Sequence, residues 1–397
     1  MSELKVSRTN NLLVFFLIAL SGSVLHVGFF SITYVTAFLF ATCVLIYKSN
    51  YIKKHLFLFL LALIFFWIIF VLNFLFSKST DFKDYSVILM QILLSLLILL
   101  TLQVRAADFK YHIYRVLRFL ILLSFIGFFL SAFKFGSRVA LGDSGFVAYS
   151  LFYIFYYNAS LNIGPLEFFR NQGIFWEPGL LAIYANIFLL LSLFVYKNKN
   201  NSILAVLCVL TTVSTTGIFM MLIQFLFFFK KRKFTFLQKI YLTVSLLMIS
   251  SLVILSFTEK KLESQEANVS SYGLRAFDLY SGAMVAVSNP IFGIGLNSNV
   301  FITERNKFLT PEMDAIFGLI EERRNSNSLL ALFYSLGLIL SSLWLYFFYK
   351  QEIFKDQRLL FFLLAVIGFA SEPLVFTPFF LCFVFSGFQS VINLKYD

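Results

Sequence analysis

Hydrophobic residues along this chain form long uninterrupted blocks, and polar residues are mostly confined to the segments between them. Most blocks approach twenty residues, the length of a helix that crosses ~30 Å of hydrocarbon. They lie approximately at residues 11–26, 28–47, 56–76, 85–104, 117–133, 176–196, 202–229, 240–257, 327–349, 358–371 and 374–391. A transmembrane β-barrel is excluded because its strands alternate polar and apolar residues. The pattern predicts an all-α polytopic membrane protein, with residues 1–397 in a single integral membrane domain.

Composition supports this prediction. Hydrophobic residues make up 60% of the chain and charged residues 13%, whereas a soluble domain is nearer half apolar and a quarter charged. Soluble enzymes and disordered proteins are therefore excluded. The formal net charge of +12 comes from basic residues spread over the segments between blocks. This distribution indicates orientation in a membrane rather than a nucleic-acid partner.

The block at residues 202–229 has basic residues at both ends, Lys197 and Lys199 before it and residues 230–233 after it. Both ends are expected on the cytoplasmic side. Its centre, residues 211–217, is rich in Ser and Thr and ends in Gly. We therefore predict two arms of about 13 residues, or ~20 Å each, that enter the membrane and return. The alternative is one long tilted helix. With two arms the chain has twelve segments, and both termini are cytoplasmic.

The two longest polar segments, residues 134–175 and 258–326, are then extracytoplasmic loops. Within the first, residues 146–157 are hydrophobic and aromatic but too short to span, and we expect an interfacial amphipathic or re-entrant helix. Within the second, residues 275–287 are expected to form a surface helix. Because nearly all the non-membrane sequence lies on one face, we expect the protein to work there.

The first loop ends in a charged motif, in which Arg170 and Glu177 flank the start of a predicted span. Charged residues within the membrane are usually functional or paired. Pro178 suits the first turn of a helix, which places Glu177 at a helix N-terminus, where an anion is favoured. Alternatively, Glu177 caps the helix and Arg170 reaches the lipid headgroups.

The second loop contains three further groups of polar residues or glycines. Asp278 follows Arg275 by about one helical turn. Gly293 and Gly295 form a Gly-x-Gly that suits a tight turn or a close backbone approach to a ligand. Residues 321–328, which include Arg323 and Arg324, are either functional or simply solvated charges at a membrane boundary.

In this order, the motifs resemble those of the Wzy-type O-antigen polymerase and O-antigen ligase superfamily. The resemblance covers roughly residues 165–345 and the topology. The matching positions are Arg170, Gly173, Phe175, Glu177, Pro178 and Gly179, then residues 214–217, then Ser271, Arg275, Pro290, Gly293 and Gly295, and finally Asn327, Leu330 and Gly337. One departure is Ser326, which stands where the ligase pattern has His. The absence of His at this position favours a polymerase over a ligase. It also leaves the base that activates the acceptor hydroxyl unassigned.

The resemblance implies a metal-independent membrane glycosyltransferase of the GT-C type, without a cofactor, in the bacterial inner membrane. It would join undecaprenyl-pyrophosphate-linked oligosaccharide repeat units into O-antigen or a similar surface polysaccharide at the periplasmic face. Arg170 and Arg275 are the predicted catalytic arginines, which converge on the pyrophosphate, and Arg323 or Arg324 is a third. A chain-length regulator is left open as a partner.

A sugar hydroxyl that attacks as the nucleophile benefits from a base. Glu177 is the first candidate and is otherwise an orienting partner of Arg170. Asp278 is the alternative base, or a partner of Arg275. Further predicted substrate-binding residues are Gly173, Asp278, Gly293, Gly295, Arg323, Arg324, Ser326 and Asn327. The competing functions are an O-antigen ligase of the same superfamily and, from another class, a polysaccharide or lipid transporter.

Overall fold

The structure is a computed structural model, and it describes residues 2–25, 30–47, 52–104, 108–131, 137–141, 146–151, 155–157, 160–163, 166–231, 271–309 and 325–393. The predicted span at residues 240–257 lies outside the described residues, as do Arg323 and Arg324.

The described part of the chain is mainly helical. The helices are α1 (Ser2–Ala19), α2 (Phe30–Ile46), α3 (Ile52–Phe76), α4 (Lys83–Val104), α5 (Phe109–Ser131), α6 (Pro178–Leu190), α7 (Lys199–Thr212), α8 (Thr215–Lys231), α9 (Ser271–Ser288), α10 (Ser298–Asn306), α11 (Ser328–Lys350), α12 (Arg358–Ser371) and α13 (Pro378–Asn393). A π-helical turn, Leu191–Val195, continues α6, and a 3-10 turn, Lys355–Gln357, precedes α12.

Several helices are long and apolar enough to cross a membrane. Among the described residues there are five: His55–Phe76, Lys83–Val104, Phe109–Ser131, Pro178–Val195 and Ser328–Lys350. Shorter apolar helices are Arg8–Ala19, Ser31–Ile46, Thr215–Lys230 and Pro378–Ile392. Large apolar side chains such as Ile64 and Ile339 are exposed on these helices, as expected where lipid replaces water. The predicted helical membrane protein is confirmed in this form, while the total of twelve segments stays a prediction.

The helix expected at residues 146–157 is wrong, because this part of the first long loop forms β-strands. Strands β1 (Ser137–Leu141), β2 (Phe146–Leu151) and β3 (Phe155–Tyr157) form one antiparallel sheet, and β4 (Ser160–Ile163) pairs antiparallel with β5 (Leu166–Phe169). The segment is rich in aromatic and β-branched residues, which favour strands. Hydrophobicity alone does not separate a short strand from a short helix.

The chain divides into two compact units. The first comprises Met1–Ala37, Ala107–Ser264 and Leu359–Gly368, and the second comprises Phe38–Ala106, Gln265–Arg358 and Phe369–Asp397. The segment with Arg170, Gly173 and Glu177 therefore belongs to the first unit. The segment with Arg275, Asp278, Gly293, Gly295, Ser326 and Asn327 belongs to the second.

In the first unit, α7 and α8 are the two arms predicted from the polar centre of residues 202–229. Helix α7 ends at Thr212, Val213 adopts a left-handed φ of 48°, and α8 begins at Thr215. The start of α8 lies beside the first half of α6, where a Cβ on Gly217 would lie 2.5 Å from Ala182 Cβ, and Asn186 Nδ2 donates to Gly217 O. Its end lies beside the π-helical turn, where the rings of Phe194 and Phe228 are 6.1 Å apart. Both ends of this α7–α8 hairpin thus lie on one side, which confirms the helix break and excludes a single tilted helix.

In the second unit, α11 is broken at Gly337, which has φ 74° and ψ 171°. The segment at residues 290–295 packs along the break. Ile294 N donates to Tyr334 O at 2.7 Å, and Leu338 N donates to Pro290 O at 2.7 Å. The break therefore exchanges helical hydrogen bonds for bonds to the neighbouring segment at residues 290–295, so these backbone groups stay paired.

Candidate functional site

The strongest candidate site in the first unit is residues 170–177, the charged motif before α6. Arg170 Nε donates to Thr212 O at 2.9 Å, and its Nη2 donates to Val213 O at 3.1 Å. These carbonyls lie at the C-terminal end of α7, where helical backbone acceptors lack partners and a cation is favoured. The half-buried Arg170 thus contacts the helix break. Contact with lipid headgroups is not needed to account for its position.

Asn171, which the sequence reasoning did not single out, completes this contact. Its backbone N donates to Thr211 O at 3.0 Å, and its fully buried side chain donates to Thr211 Oγ1 at 3.1 Å and Ser124 Oγ at 3.3 Å. Asn171 Oδ1 is buried and has no hydrogen-bond partner among the residues that the structure describes. Two consecutive residues therefore anchor the motif to the end of α7, which fixes the direction of the Arg170 guanidinium.

Gly173 makes the turn between Arg170 and Glu177 possible. Its φ is +58°, and a Cβ at this position would lie 2.8 Å from Ser124 Cβ. The left-handed backbone and the close approach both favour glycine. Gly173 therefore shapes the segment, while its predicted contact with substrate stays a prediction.

Glu177 lies at the N-cap position of α6, directly before Pro178 at the first helical position, as the sequence predicts. Its side chain makes no capping hydrogen bond to the helix, and the residue is exposed. A capping bond therefore does not account for Glu177 in this structure. An exposed carboxylate at the positive end of a helix is able to accept a proton or to orient a cation.

In the second unit, the predicted surface helix is confirmed as α9, which carries Arg275 and Asp278. Arg275 is exposed and Asp278 is buried, with 3% of its surface exposed. Asp278 Oδ2 accepts hydrogen bonds from Ser326 Oγ at 2.6 Å and Ser326 N at 3.2 Å. The structure thus brings together two residues that the sequence reasoning placed in separate motifs.

Neighbouring residues fix the segment that carries Ser326. Asn325 Nδ2 donates to Asp278 O at 2.8 Å, and Asn325 Oδ1 accepts from Asn327 N at 2.8 Å. Asn327 is the N-cap of α11, and its Oδ1 accepts from Leu330 N at 3.0 Å. Asn327 thus has a capping role, and its predicted contact with substrate stays a prediction.

Gly293 and Gly295 both have positive φ, +69° and +86°. A Cβ on Gly293 would lie 2.5 Å from the Ser335 backbone, and Gly295 N donates to Ser335 O at 3.1 Å. The close backbone approach that the Gly-x-Gly indicates is therefore made to α11. A contact of these glycines with a ligand stays a prediction.

Several polar residues around these segments were missed by the sequence reasoning. Asn73 Nδ2 donates to Phe292 O at 2.6 Å and Ser335 O at 3.1 Å, and its Oδ1 accepts from Tyr85 OH at 2.6 Å. A lone Asn within the apolar sequence of α3 was the available signal, because a polar side chain at membrane depth usually has a fixed partner.

A second missed group is ionic and lies on α10. Glu304 Oε1 lies 2.6 Å from Lys307 Nζ. Glu304 Oε2 lies 3.0 Å from Lys78 Nζ. Burial acts to raise the pKa of Glu304, but the hydrogen bonds from Lys307 and Lys78 outweigh it, so this pKa lies below its ordinary value. Beside it, the guanidinium of the buried Arg305 lies 5.4 Å from the centre of the Phe277 ring.

Among the residues that the structure describes, no group of three or more His, Cys, Asp or Glu side chains is arranged to hold a metal ion. No protein-family model matches the chain, and a comparison with curated proteins finds no similar protein. The family resemblance therefore stays a prediction.

Proposed function

We propose that the chain is a membrane glycosyltransferase that polymerises oligosaccharide repeat units carried on undecaprenyl pyrophosphate, as the Wzy-type polymerases it resembles do. The reaction takes place at the periplasmic face of the bacterial inner membrane, with both termini in the cytoplasm. The acceptor hydroxyl attacks the anomeric carbon of the donor glycan, and lipid pyrophosphate leaves. The fold we expect is GT-C-like with twelve segments, and the expected product is O-antigen or a similar surface polysaccharide.

The observation that carries this proposal is the fixed position of Arg170 at the break between α7 and α8. Its two hydrogen bonds to Thr212 O and Val213 O hold the guanidinium in one orientation. A leaving pyrophosphate develops negative charge, and a cation fixed in advance stabilises that charge without reorganisation. Arginine suits this task because it stays protonated and offers a planar set of donors.

The other residues receive roles from their chemistry. Arg275, exposed on α9, is assigned a second contact with a diphosphate, and its predicted convergence with Arg170 stays a prediction. Arg323 or Arg324 is the third candidate arginine. Glu177, exposed at the N-terminus of α6, is either the base for the acceptor hydroxyl or a residue that orients the bound substrate. Arginine side chains then stabilise the leaving group without a divalent metal.

The test is to give purified protein a synthetic lipid-linked repeat unit in detergent and to analyse the products by mass spectrometry. The proposal predicts a ladder of lipid-linked oligomers together with free undecaprenyl pyrophosphate, in the presence of a metal chelator. A ligase instead transfers glycan only when lipid A-core is added. Unchanged substrate under all these conditions would contradict both transferase activities.

A transporter is the second candidate, and one observation favours it. Each unit contains a helix broken at its backbone, at Val213 in the first and at Gly337 in the second. Discontinuous helices line substrate sites in many secondary transporters. Reconstituted vesicles distinguish the two activities: a transporter moves a lipid-linked glycan between leaflets without changing its mass, whereas a polymerase changes its mass without a membrane gradient.

A further inference from the structure

Asp278 and Ser326 form a hydrogen-bonded pair that links α9 to the segment before α11. The carboxylate of Asp278 is buried, with 3% of the residue exposed, whereas Ser326 is only partly buried. The Ser326 Oγ to Asp278 Oδ2 distance of 2.6 Å falls in the range of a charge-assisted hydrogen bond between a hydroxyl and a carboxylate. Of the two residues, Ser326 is therefore the more exposed, and the carboxylate that accepts its proton is buried.

The hydroxyl is held in place by the backbone around it. Ser326 N donates to the same Asp278 oxygen at 3.2 Å, and Asn325 Nδ2 donates to Asp278 O at 2.8 Å. The side chain of Asn325 fits here because its neighbour on α9 is Gly282, where a Cβ would lie 2.6 Å from Asn325 Nδ2. Ser326 Oγ donates its only proton to Asp278, so its lone pairs are the part of the group that is able to accept a hydrogen bond.

We propose that Ser326 and Asp278 form a proton relay for the acceptor sugar hydroxyl, an inference that rests on the proposed glycosyl transfer. The acceptor hydroxyl donates to Ser326 Oγ. As its oxygen bonds to the anomeric carbon, its proton moves to Ser326 Oγ, and the serine proton moves to Asp278 Oδ2. The bond from the anomeric carbon to the pyrophosphate oxygen breaks, and that oxygen keeps the electron pair. Afterwards the neutral Asp278 releases its proton to water by way of Ser326.

This relay assigns the base that the sequence left open between Glu177 and Asp278. Asp278 is the final proton acceptor, and Ser326 is the catalytic residue that touches the substrate. Glu177 is then left with the role of orienting the bound substrate. A relay differs from a purely structural bond because two protons move in the same step, which isotope measurements detect.

The experiment compares purified wild-type protein with Ser326→Ala, Ser326→Thr and Asp278→Asn in the lipid-linked repeat assay. General-base catalysis contributes about 10²–10⁴-fold, so Ser326→Ala and Asp278→Asn should lower kcat by that factor. Ser326→Thr, which keeps the hydroxyl, should retain most of the activity. Ser288→Ala is the matched control, because Ser288 Oγ donates to backbone carbonyls of α9 and accepts from its neighbour Asn289, and its loss should leave kcat unchanged.

The rate in mixtures of light and heavy water supplies a readout that folding does not affect. The relay predicts a curved dependence on deuterium fraction for the wild type, and a straight line for the residual activity of Ser326→Ala. A wild-type kcat for Ser326→Ala, or a straight line for the wild type, would overturn the relay while the polymerase proposal stands. If the wild-type protein forms no oligomer, both proposals fail. Ser326→Ala and Ser326→Thr decide the test even if Asp278→Asn does not fold.

Discussion

Both helix breaks leave backbone carbonyls without helical partners, and different donors pair these carbonyls at the two breaks. In the first unit, the carbonyls at the end of α7 accept from the backbone N of Asn171 and from a guanidinium, through Arg170 Nε and Nη2. In the second, the carbonyls of α11 around Gly337 accept from backbone amides and from the neutral amide of Asn73. Neutral amide donors are sufficient to pair the backbone carbonyls at a helix break. Pairing alone therefore does not require the charged guanidinium of Arg170 at the first break.

We propose that this difference separates a functional break from a structural one. Backbone amides suffice at Gly337 because the Gly-x-Gly segment approaches closely, and a Cβ on Gly293 would collide with Ser335. We propose that the first break lies at membrane depth, where a charge has a free-energy cost that is usually associated with function. We therefore expect substitutions at the first break to affect mainly activity, and substitutions at the second to affect mainly stability.

In the comparison of the two breaks, the largest expected effect is on transfer activity in Arg170→Ala. Loss of one preorganised donor to a developing negative charge typically lowers kcat by about 10²–10³-fold, and the lipid-linked repeat assay measures it. Arg170→Lys should recover part of this loss, because lysine keeps the charge but not the planar set of donors. Arg118→Ala, an exposed arginine on α5, is the control with unchanged kcat. Equal activity in Arg170→Ala and Arg118→Ala would remove the distinction between the two breaks.

Next in size is the stability effect of Gly337→Ala at the second break. The φ and ψ of Gly337 are adopted almost only by glycine, and its Cβ would collide with Ile291 O, so we expect destabilisation of at least about 1–3 kcal/mol. Thermal unfolding in detergent measures this. Gly368→Ala in α12 is the control, because the nearest atom to its Cβ would be 3.4 Å away. Similar midpoints for both variants would contradict the structural role of the break.

A smaller effect is expected for Asn73→Ala, which removes the side chain that bonds Phe292 O, Ser335 O and Tyr85 OH. Buried groups left without partners cost about 1–3 kcal/mol. Tyr85→Phe removes one of these bonds and should destabilise the protein less. The double variant, followed by thermal unfolding, should show less than the sum of the two single effects, because both residues belong to one network. Strict additivity would show that Asn73 and Tyr85 act independently.

The smallest expected effect is the pH dependence contributed by Glu304. Because its pKa is lowered in the folded protein, its stabilisation is present above the ordinary pKa of about 4.3 and is lost as pH falls through the folded value. Thermal midpoints recorded between pH 7 and 3 should fall less for Glu304→Gln than for the wild type. Glu352→Gln, which removes a more exposed ion pair with Arg358, should change the profile little. Identical profiles for Glu304→Gln and the wild type would show that Lys78 and Lys307 do not stabilise the carboxylate.

Much of the helical architecture was predictable because the signals are local. The break at residues 213–214 follows from a polar centre between two basic ends, and the N-terminus of α6 follows from Glu177 and Pro178. The strands at residues 137–169 were not predictable in this way, because a short hydrophobic-aromatic run has the same composition as an interfacial helix.

The contacts that define the two sites are non-local, and one sequence does not encode them in its spacing. Asn73 and Phe292 are separated by 219 positions, and Asp278 and Ser326 by 48. The motifs were recognisable singly, since Asp278 and Ser326 were each candidates. Their pairing, and the bond from Arg170 to the helix break, became apparent only when the fold brought these segments together.

The most direct test of the account is the equilibrium binding of undecaprenyl pyrophosphate to purified protein in detergent. We predict that Arg170→Ala raises its Kd by about 10- to 100-fold, as expected for the loss of a charged hydrogen bond worth about 1.5–3 kcal/mol. The Kd of Arg118→Ala should stay at the wild-type value. If Arg170→Ala binds the lipid diphosphate as tightly as the wild type and has the same thermal midpoint, the guanidinium at the first break does not bind the leaving group.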